Sequence, residues 1–385
     1  MPNPRASALR QSPIRAMTQR CRELGGVNMG QGICDTPPPR LLLDAVPTAL
    51  AAGHNTYSRY DGVAPLREAL TDKLAAYNGL HYDPETEVLV TLGSTGAFAA
   101  VLGAHFEAGD ALLLLEPYYG YHRNLAELAG LELRCVAIEG ADGALDLAAL
   151  EAAAAGARGI VVNSPNNPSG RILSPAELDA IAAVCARHDL LCIADEIYEY
   201  FLYDGRAHHS MATRPGMRER TFTLGGYSKT YSITGWRIGY CAAPAALAAP
   251  VGLVADLYTA CAPTPLQHAV AAAIRDLPPD YYEELARSHQ AQRDQFCAAL
   301  KQAGLPPRVP QGAYYVLADV AALGCTTAAA AAQTLLEQAG IAAIPGSAFY
   351  TQGRGEHLLR FCFGKTQADL DRACERLAQW ARAGS

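Results

Sequence analysis

The stretch GGYSKTYSITGWRIGY, from Gly225 to Tyr240, sets one lysine among small hydroxyl residues, with an arginine eight positions further on. A nucleotide-cradling P-loop is excluded, because Ser228 stands before Lys229 where that loop requires glycine. The S-x-x-K arrangement of serine acyl-transfer enzymes fails too, since position 226 is glycine. Besides the ordinary fate of a surface lysine, one chemistry remains for Lys229. Its amine can form a Schiff base with a carbonyl cofactor, activated by desolvation and by a nearby cation such as Arg237. Few charges flank the stretch and no acidic residue precedes Lys229 at helical spacing, so an ion-paired surface lysine fits poorly.

Other polar clusters follow short apolar runs: LGSTGAF after EVLVT, EPYYGY after ALLLL, SPNNPSG after GIVVN, and DEIY after LLCIA. Asp195 of DEIY, emerging from an apolar strand, would be costly to bury ionised without a cation beside it. A protonated ring nitrogen would serve, and an N-cap or a salt bridge is the plainer alternative. SPNNPSG, with Asn166 and Asn167 between prolines, is turn chemistry by default. Ser94 and Thr95 in LGSTGAF stand at a helix start, where free N–H groups favour an anion such as phosphate; a simple N-cap explains them equally well.

These clusters need a scaffold that brings strand ends together. The six runs EVLVTL, ALLLLE, GIVVNS, LLCIAD, TFTLGG and IGYCAA are short and too continuously apolar for strands with one wet face. They alternate with helical patterns such as the stripe over residues 63–77. This is the pattern of an α/β fold with a mostly parallel sheet covered by helices on both faces, where ligands sit beyond the carboxyl ends of the strands. With 385 residues the chain exceeds the roughly 250–300 that one core supports, so a second unit is expected. The division read from the pattern is an arm with part of a small domain (1–45), a large domain (46–280) and a smaller α+β domain (281–385).

A net charge of −7 gives no general attraction for nucleic acid or anionic lipid. There is no apolar leader and no run of 18 uncharged apolar residues, so a cytoplasmic protein without a membrane partner is expected. The eleven cysteines lie scattered through apolar stretches and read as buried thiols, and no metal-ligand spacing occurs.

Taken in order, SPNNPSG, ADEIY and SKTYSITGWRIG resemble the class I/II pyridoxal-phosphate aminotransferases of fold type I, in their kynurenine/methionine-transaminase-like branch. Asn167, Asp195 and Lys229 follow one another at 28 and 34 residues. NTYSRYDGVAPLREAL, EPYYGY, QGAYYVLAD, IPGSAFY and LLRFCFG add to the likeness, which runs from about residue 28 to 377. The resemblance implies a large domain with a seven-stranded-type sheet and a homodimer with shared active sites. It gives Lys229 the Schiff base to pyridoxal 5′-phosphate and a proton-shuttling task, and Asp195 the ring nitrogen. Asn167 and Tyr198 would take the ring's phenolic oxygen, and Tyr119 would stack on the ring, with Tyr118 competing for that place. Ser94, Thr95, Ser228 and Arg237 would grip the phosphate, joined by Tyr57 from the other subunit. Arg360, with Gly32 and Asn167, would take the substrate carboxylate.

The implied activity is transfer of the amino group of an L-amino acid to a 2-oxo acid. Elimination, cyclisation or oxygen-dependent oxidation on the same cofactor is the alternative. Gly226 replaces a serine of some relatives, and Ile33-Cys34 stand where an aromatic and a proline are common. No Lys or Arg occurs between Arg237 and Arg275, which favours a donor with a neutral side chain. His208-His209 and Tyr121-His122 are polar candidates near the expected site, with solvated or capping roles the plainer reading.

Overall fold

A computed structural model describes residues 13–139 and 144–383. The first twelve residues of the expected arm, and the last two of the chain, lie outside the described ones. A helix, Pro13–Glu23, leads into a two-residue strand, β1 (Val27–Asn28). The strands that follow are β2 (Val88–Leu92), β3 (Ala111–Glu116), β4 (Glu132–Glu139), β5 (Ala144–Leu145), β6 (Gly159–Asn163), β7 (Leu191–Asp195), β8 (Thr221–Gly226) and β9 (Ile238–Ala242).

These eight form one sheet in the order β2-β9-β8-β7-β6-β3-β4-β5. β4, β3, β6, β7 and β8 run parallel; β9 is antiparallel to β8 and β2, and β5 to β4. The sheet is therefore mostly parallel, with one strand more than the seven expected, because the short β5 folds back on β4. All six apolar runs are strands. β4 escaped the reading because the charged Glu132, Arg134 and Glu139 interrupt its apolar residues; its outer neighbour covers only its last two residues, so much of it is an edge strand.

Helices Gly93–His105 and Ala245–Thr259 pack on one face around Phe98, Val101, Phe222 and Val251. Leu147–Ala154 and Pro175–His188 cover the other, around Leu150, Ile181 and Ile193's neighbours Cys192 and Ala194. The stripe over 63–77 forms helix Ala64–Lys73 and then widens into a π turn, Leu74–Asn78. Lys73 and Asn78 both reach the buried Glu199 carboxylate, and the Tyr77 hydroxyl donates to the Glu199 carbonyl at 2.8 Å. Glu199 is thus matched by Lys73, while neighbouring Glu196 accepts from His208 at 2.9 Å and from Met211 N at 3.0 Å.

A second, four-stranded antiparallel sheet has the order β10 (Pro307–Arg308), β11 (Tyr315–Asp319), β14 (Leu358–Cys362), β13 (Ile344–Pro345). β12 (Ile341–Ala342) pairs in parallel with β1, tying the N-terminal segment to this unit. Helices Pro279–Gln302, Ala328–Ala339 and Gln367–Ala383 bury Phe296, Leu335 and Leu370 against the sheet.

Candidate active site

Register decides which side chains meet. Asn163 pairs with Asp195, Asp195 with Leu224, Gly226 with Gly239, and Leu92 with Ile238. The carboxyl ends of β2, β6, β7 and β8 and the amino end of β9 therefore share one edge. A cavity of about 350 Å³ opens there, lined by Ser94, Thr95, Tyr119, Asn167, Asp195, Tyr198, Ser228, Lys229 and Arg237, together with Tyr121, Asn163, Ile197 and Thr234. Ten residues singled out from the sequence, Tyr121 included, are among them.

At one end lies the start of helix Gly93–His105. Its N-cap, Leu92, makes no side-chain cap, so Ser94 and Thr95 belong to the first turn and its free N–H groups. Arg237 stands beside them in the left-handed region, with φ of 59°, a conformation costing on the order of 1 kcal/mol or more in a non-glycine residue. Its Nη1 donates to Thr234 O at 3.0 Å and its Nη2 to Leu92 O at 3.2 Å, and no carboxylate pairs with it among the described residues. Three glycines make the room. A Cβ on Gly93 would strike the Arg237 guanidinium, one on Gly239 the backbone of Gly93 and Ser94, and one on Gly226 the Gly239 Cα at 2.9 Å. The glycine at 226 thus follows from close strand packing. This cradle of N–H groups, hydroxyls and a guanidinium suits a phosphate dianion.

At the other end Asp195 is buried. Its Oδ2 lies 3.0 Å from His122 Nε2 and its Oδ1 accepts from Ile197 N at 3.2 Å, while Asn163 Nδ2 holds the Asp195 carbonyl at 2.9 Å. His122 corrects the expectation of a solvated or capping residue: it is buried in the first turn of helix Gly120–Ala129. Its only sequence signal was its place two residues after EPYYG, on the inward side of a short helix. Tyr119 lines the cavity, whereas Tyr118 donates its hydroxyl to Tyr350 O at 3.1 Å. The Tyr198 hydroxyl lies 3.0 Å from that of Tyr315, a partner that sequence reading missed.

Lys229 points between these ends. Its Nζ donates to Gly32 O at 3.2 Å, and among the described residues it has no carboxylate partner. Burial pulls its pKa down to about 8; the thiols Cys362 and Cys34 oppose the fall, and the charges of Arg237 and Arg360 add to it. A Cβ on Gly32 would run into the Tyr315 hydroxyl, so only glycine brings this carbonyl so close.

Arg360, at the centre of β14, is fully buried behind the cavity wall. Its Nη1 donates to Asn167 Oδ1 at 3.0 Å and its Nη2 to Gly30 O at 2.6 Å, while Nε has no partner. The guanidinium lies over the rings of Tyr315 and Phe349 at 4.6 and 4.9 Å. A guanidinium so placed, without a carboxylate among the described residues, has the chemistry to receive an anion. Tyr57 is not in the cavity: it is 84% exposed on the surface of this single chain.

Comparison with known proteins gives a family-model match, Aminotransferase class I and II, over residues 25–377. The solved structure of N-succinyldiaminopimelate aminotransferase from Mycobacterium tuberculosis is similar with a TM-score of 0.95 and 36% identity, over 99% of this chain and 100% of that one. YbdL from Escherichia coli, described with a methionine aminotransferase function, gives 0.94 and 30% over 98% and 99%. Kynurenine–oxoglutarate transaminase 1 of Homo sapiens is 31% identical over 92% of each chain.

The buried amine costs stability. Folding lowers its pKa from 10.5 to about 8, so the unfolded chain binds the extra proton between those values. The penalty is complete below pH 8 and fades as pH rises towards 10.5. In the ligand-free protein Lys229→Met should be more stable at pH 7, by up to about 3 kcal/mol, with the gap narrowing at high pH. Urea midpoints that show no pH-dependent gap would contradict this account of the amine.

Proposed function

The chain belongs to the class I and II aminotransferases, a pyridoxal 5′-phosphate-dependent family, and from that premise we propose how its own residues carry the reaction. It moves an amino group between an amino acid and a 2-oxo acid. The observation that carries the residue assignment is the Lys229 amine, unpaired by any described carboxylate, standing between the Asp195 carboxylate and a phosphate-shaped cradle. Bound there, pyridoxal 5′-phosphate supplies an aldehyde for an amine and an electron-withdrawing ring that stabilises negative charge at the substrate Cα.

Lys229 Nζ would hold the cofactor through its aldehyde, and the freed amine would be the group that takes and returns the proton at the substrate Cα. Lowered to about 8, its pKa suits both tasks near neutrality. Asp195, oriented by His122, keeps a proton on the ring nitrogen. Tyr198 and Asn167 hold the ring oxygen, and Tyr119 covers the ring face. Ser94, Thr95, Ser228 and Arg237 bind the phosphate. Arg360 takes the substrate carboxylate, steadied by its bonds to Asn167 and Gly30, and Gly32 gives that carboxylate room beside the lysine. Lys229 and Arg237 line the cavity and Arg360 lies behind its wall, each with a task, and among the described residues no further cation lines it for a distal carboxylate, which supports a donor with a neutral side chain.

We assign the working form as a homodimer. Leu253, Leu257 and Tyr258 on helix Ala245–Thr259 are exposed in the single chain, and Tyr60 of the segment bearing Tyr57 packs against Gly252 of the same helix. A second copy covering that face would bring Tyr57 to the phosphate end of its neighbour's cavity. The eleven unpaired cysteines suit a reducing cytoplasm, and cell fractionation should recover the protein there.

A donor panel under single-turnover conditions tests the reading. Neutral donors such as methionine and kynurenine should shift the cofactor absorbance once, stoichiometrically, and faster than aspartate or N-succinyldiaminopimelate. Repeated turnover without an oxo acid would point to elimination or oxidation instead, and borohydride reduction with peptide mapping should mark Lys229. Arg360→Ala should weaken amino-acid binding by about 2–5 kcal/mol, the cost of losing a desolvated charged contact; an unchanged KM would refute its assignment. Sedimentation at micromolar protein should give a dimer, and a monomer fully active at that concentration would remove Tyr57 from the site.

A further inference from the structure

Behind Lys229 a chain of four polar side chains links three parts of the fold. Ser232, three residues after Lys229, has its Oγ 2.7 Å from Thr36 Oγ1; Thr36 Oγ1 lies 3.1 Å from Cys34 Sγ, and Cys34 Sγ 3.4 Å from His289 Nε2. Cys34 and Thr36 belong to the segment that carries Gly32, and His289 to helix Pro279–Gln302. Cys34 and His289 are both buried. His289 Nδ1 lies 2.8 Å from Leu285 O, one turn back in its helix. A carbonyl oxygen only accepts, so Nδ1 bears the hydrogen and a neutral ring turns the Nε2 lone pair to the thiol. Sulfur and nitrogen therefore share a single proton.

Burial pushes the Cys34 thiol up, but the hydrogen bond and charge of His289, with help from Ser232 and Thr36, outweigh it and bring the thiol to about 7. Tyr203, Tyr281, Tyr314 and Cys362 also face this thiol, and burial raises each of them, so none competes for the negative charge. Asp35 and Lys365, next to the segment, pair with each other at 2.8 Å. Lys229 feels Cys362 and, after it, Cys34, both of which raise its pKa against the effect of burial.

We propose that Cys34 and His289 are positioning residues for the transfer reaction. Sharing one proton, the pair carries no net charge, and its sulfur, on the segment whose Gly32 carbonyl holds the Lys229 amine, is the negative end that opposes the effect of Arg237 and Arg360. The Thr36–Ser232 link fixes the lysine turn to the segment that presents Gly32. The inference rests on the role given to Lys229, but its first test is independent of that role.

In cofactor-free protein, the ultraviolet difference between wild type and Cys34→Ser should show one thiolate titrating near 7. His289→Gln should move that titration up by about one pH unit or more. In the loaded enzyme, the pH midpoint of the visible band should fall by about half a pH unit or more in Cys34→Ser and Cys34→Ala alike, because serine restores size and hydrogen bonding but no charge. A packing role would leave Cys34→Ser with the wild-type midpoint. That result, or no thiolate signal below pH 9, overturns the proposal; should Cys34→Ala fail to fold, the serine and glutamine variants decide. Failure of borohydride to label Lys229 would instead strike the assignment of the lysine, leaving the thiolate titration standing.

Discussion

An amine is kept inside this protein near two guanidinium groups, with no described carboxylate to balance it. A buried cation is expensive unless it is matched or loses its proton. Here the amine is left with a backbone carbonyl, that of Gly32, and a pKa drawn down to about 8. The nearby carboxylate is engaged elsewhere: Asp195 is fastened to His122 and to the Ile197 N–H. Arg360 and Arg237 are likewise held by carbonyl and amide oxygens rather than by acids. Positive groups thus stand at the Arg237 cradle and behind the wall at Arg360, and the lysine between them is drawn towards its neutral form.

Holding those groups so near each other demands that backbone approach backbone. Glycines at 93, 226 and 239 sit where any Cβ would meet a neighbouring chain or the Arg237 guanidinium, and Gly32 lies where it would meet Tyr315. Small residues at the strand edge replace the protein's own side chains with space for a flat ligand and its phosphate.

The second sheet is part of the site. Arg360 reaches from β14 to Asn167 at the end of β6 and to Gly30 in the N-terminal segment, so one side chain ties three parts of the fold. Lys365 Nζ adds bonds to Gln31 O at 3.2 Å and to Asp35. Glu116, buried at the end of β3, pairs with Arg354 and accepts from Thr351 Oγ1 at 2.8 Å. Movement of either unit would therefore be felt at Asn167, which lines the cavity.

Apolar runs bounded by turn residues determined six strands of the large sheet, because a strand buried on both faces must be apolar throughout. Polar clusters just after those runs determined where chemistry would concentrate, since strand ends are the places where an α/β sheet leaves polar groups room to converge. What a linear pattern cannot carry is pairing across long separations. β4, interrupted by charged residues, did not read as a continuous apolar run. His122 looked like a surface residue until helix Gly120–Ala129 turned it onto Asp195, 73 residues away. Tyr118 and Tyr119 were indistinguishable until packing sent one to Tyr350 and the other to the cavity. The thiol of Cys34 met an imidazole 255 residues distant only when the N-terminal segment was laid against the helix of the second unit. Residue type and local spacing are properties of the chain, whereas charge balance depends on which groups the fold brings within a few ångströms, and that is decided by tertiary structure alone.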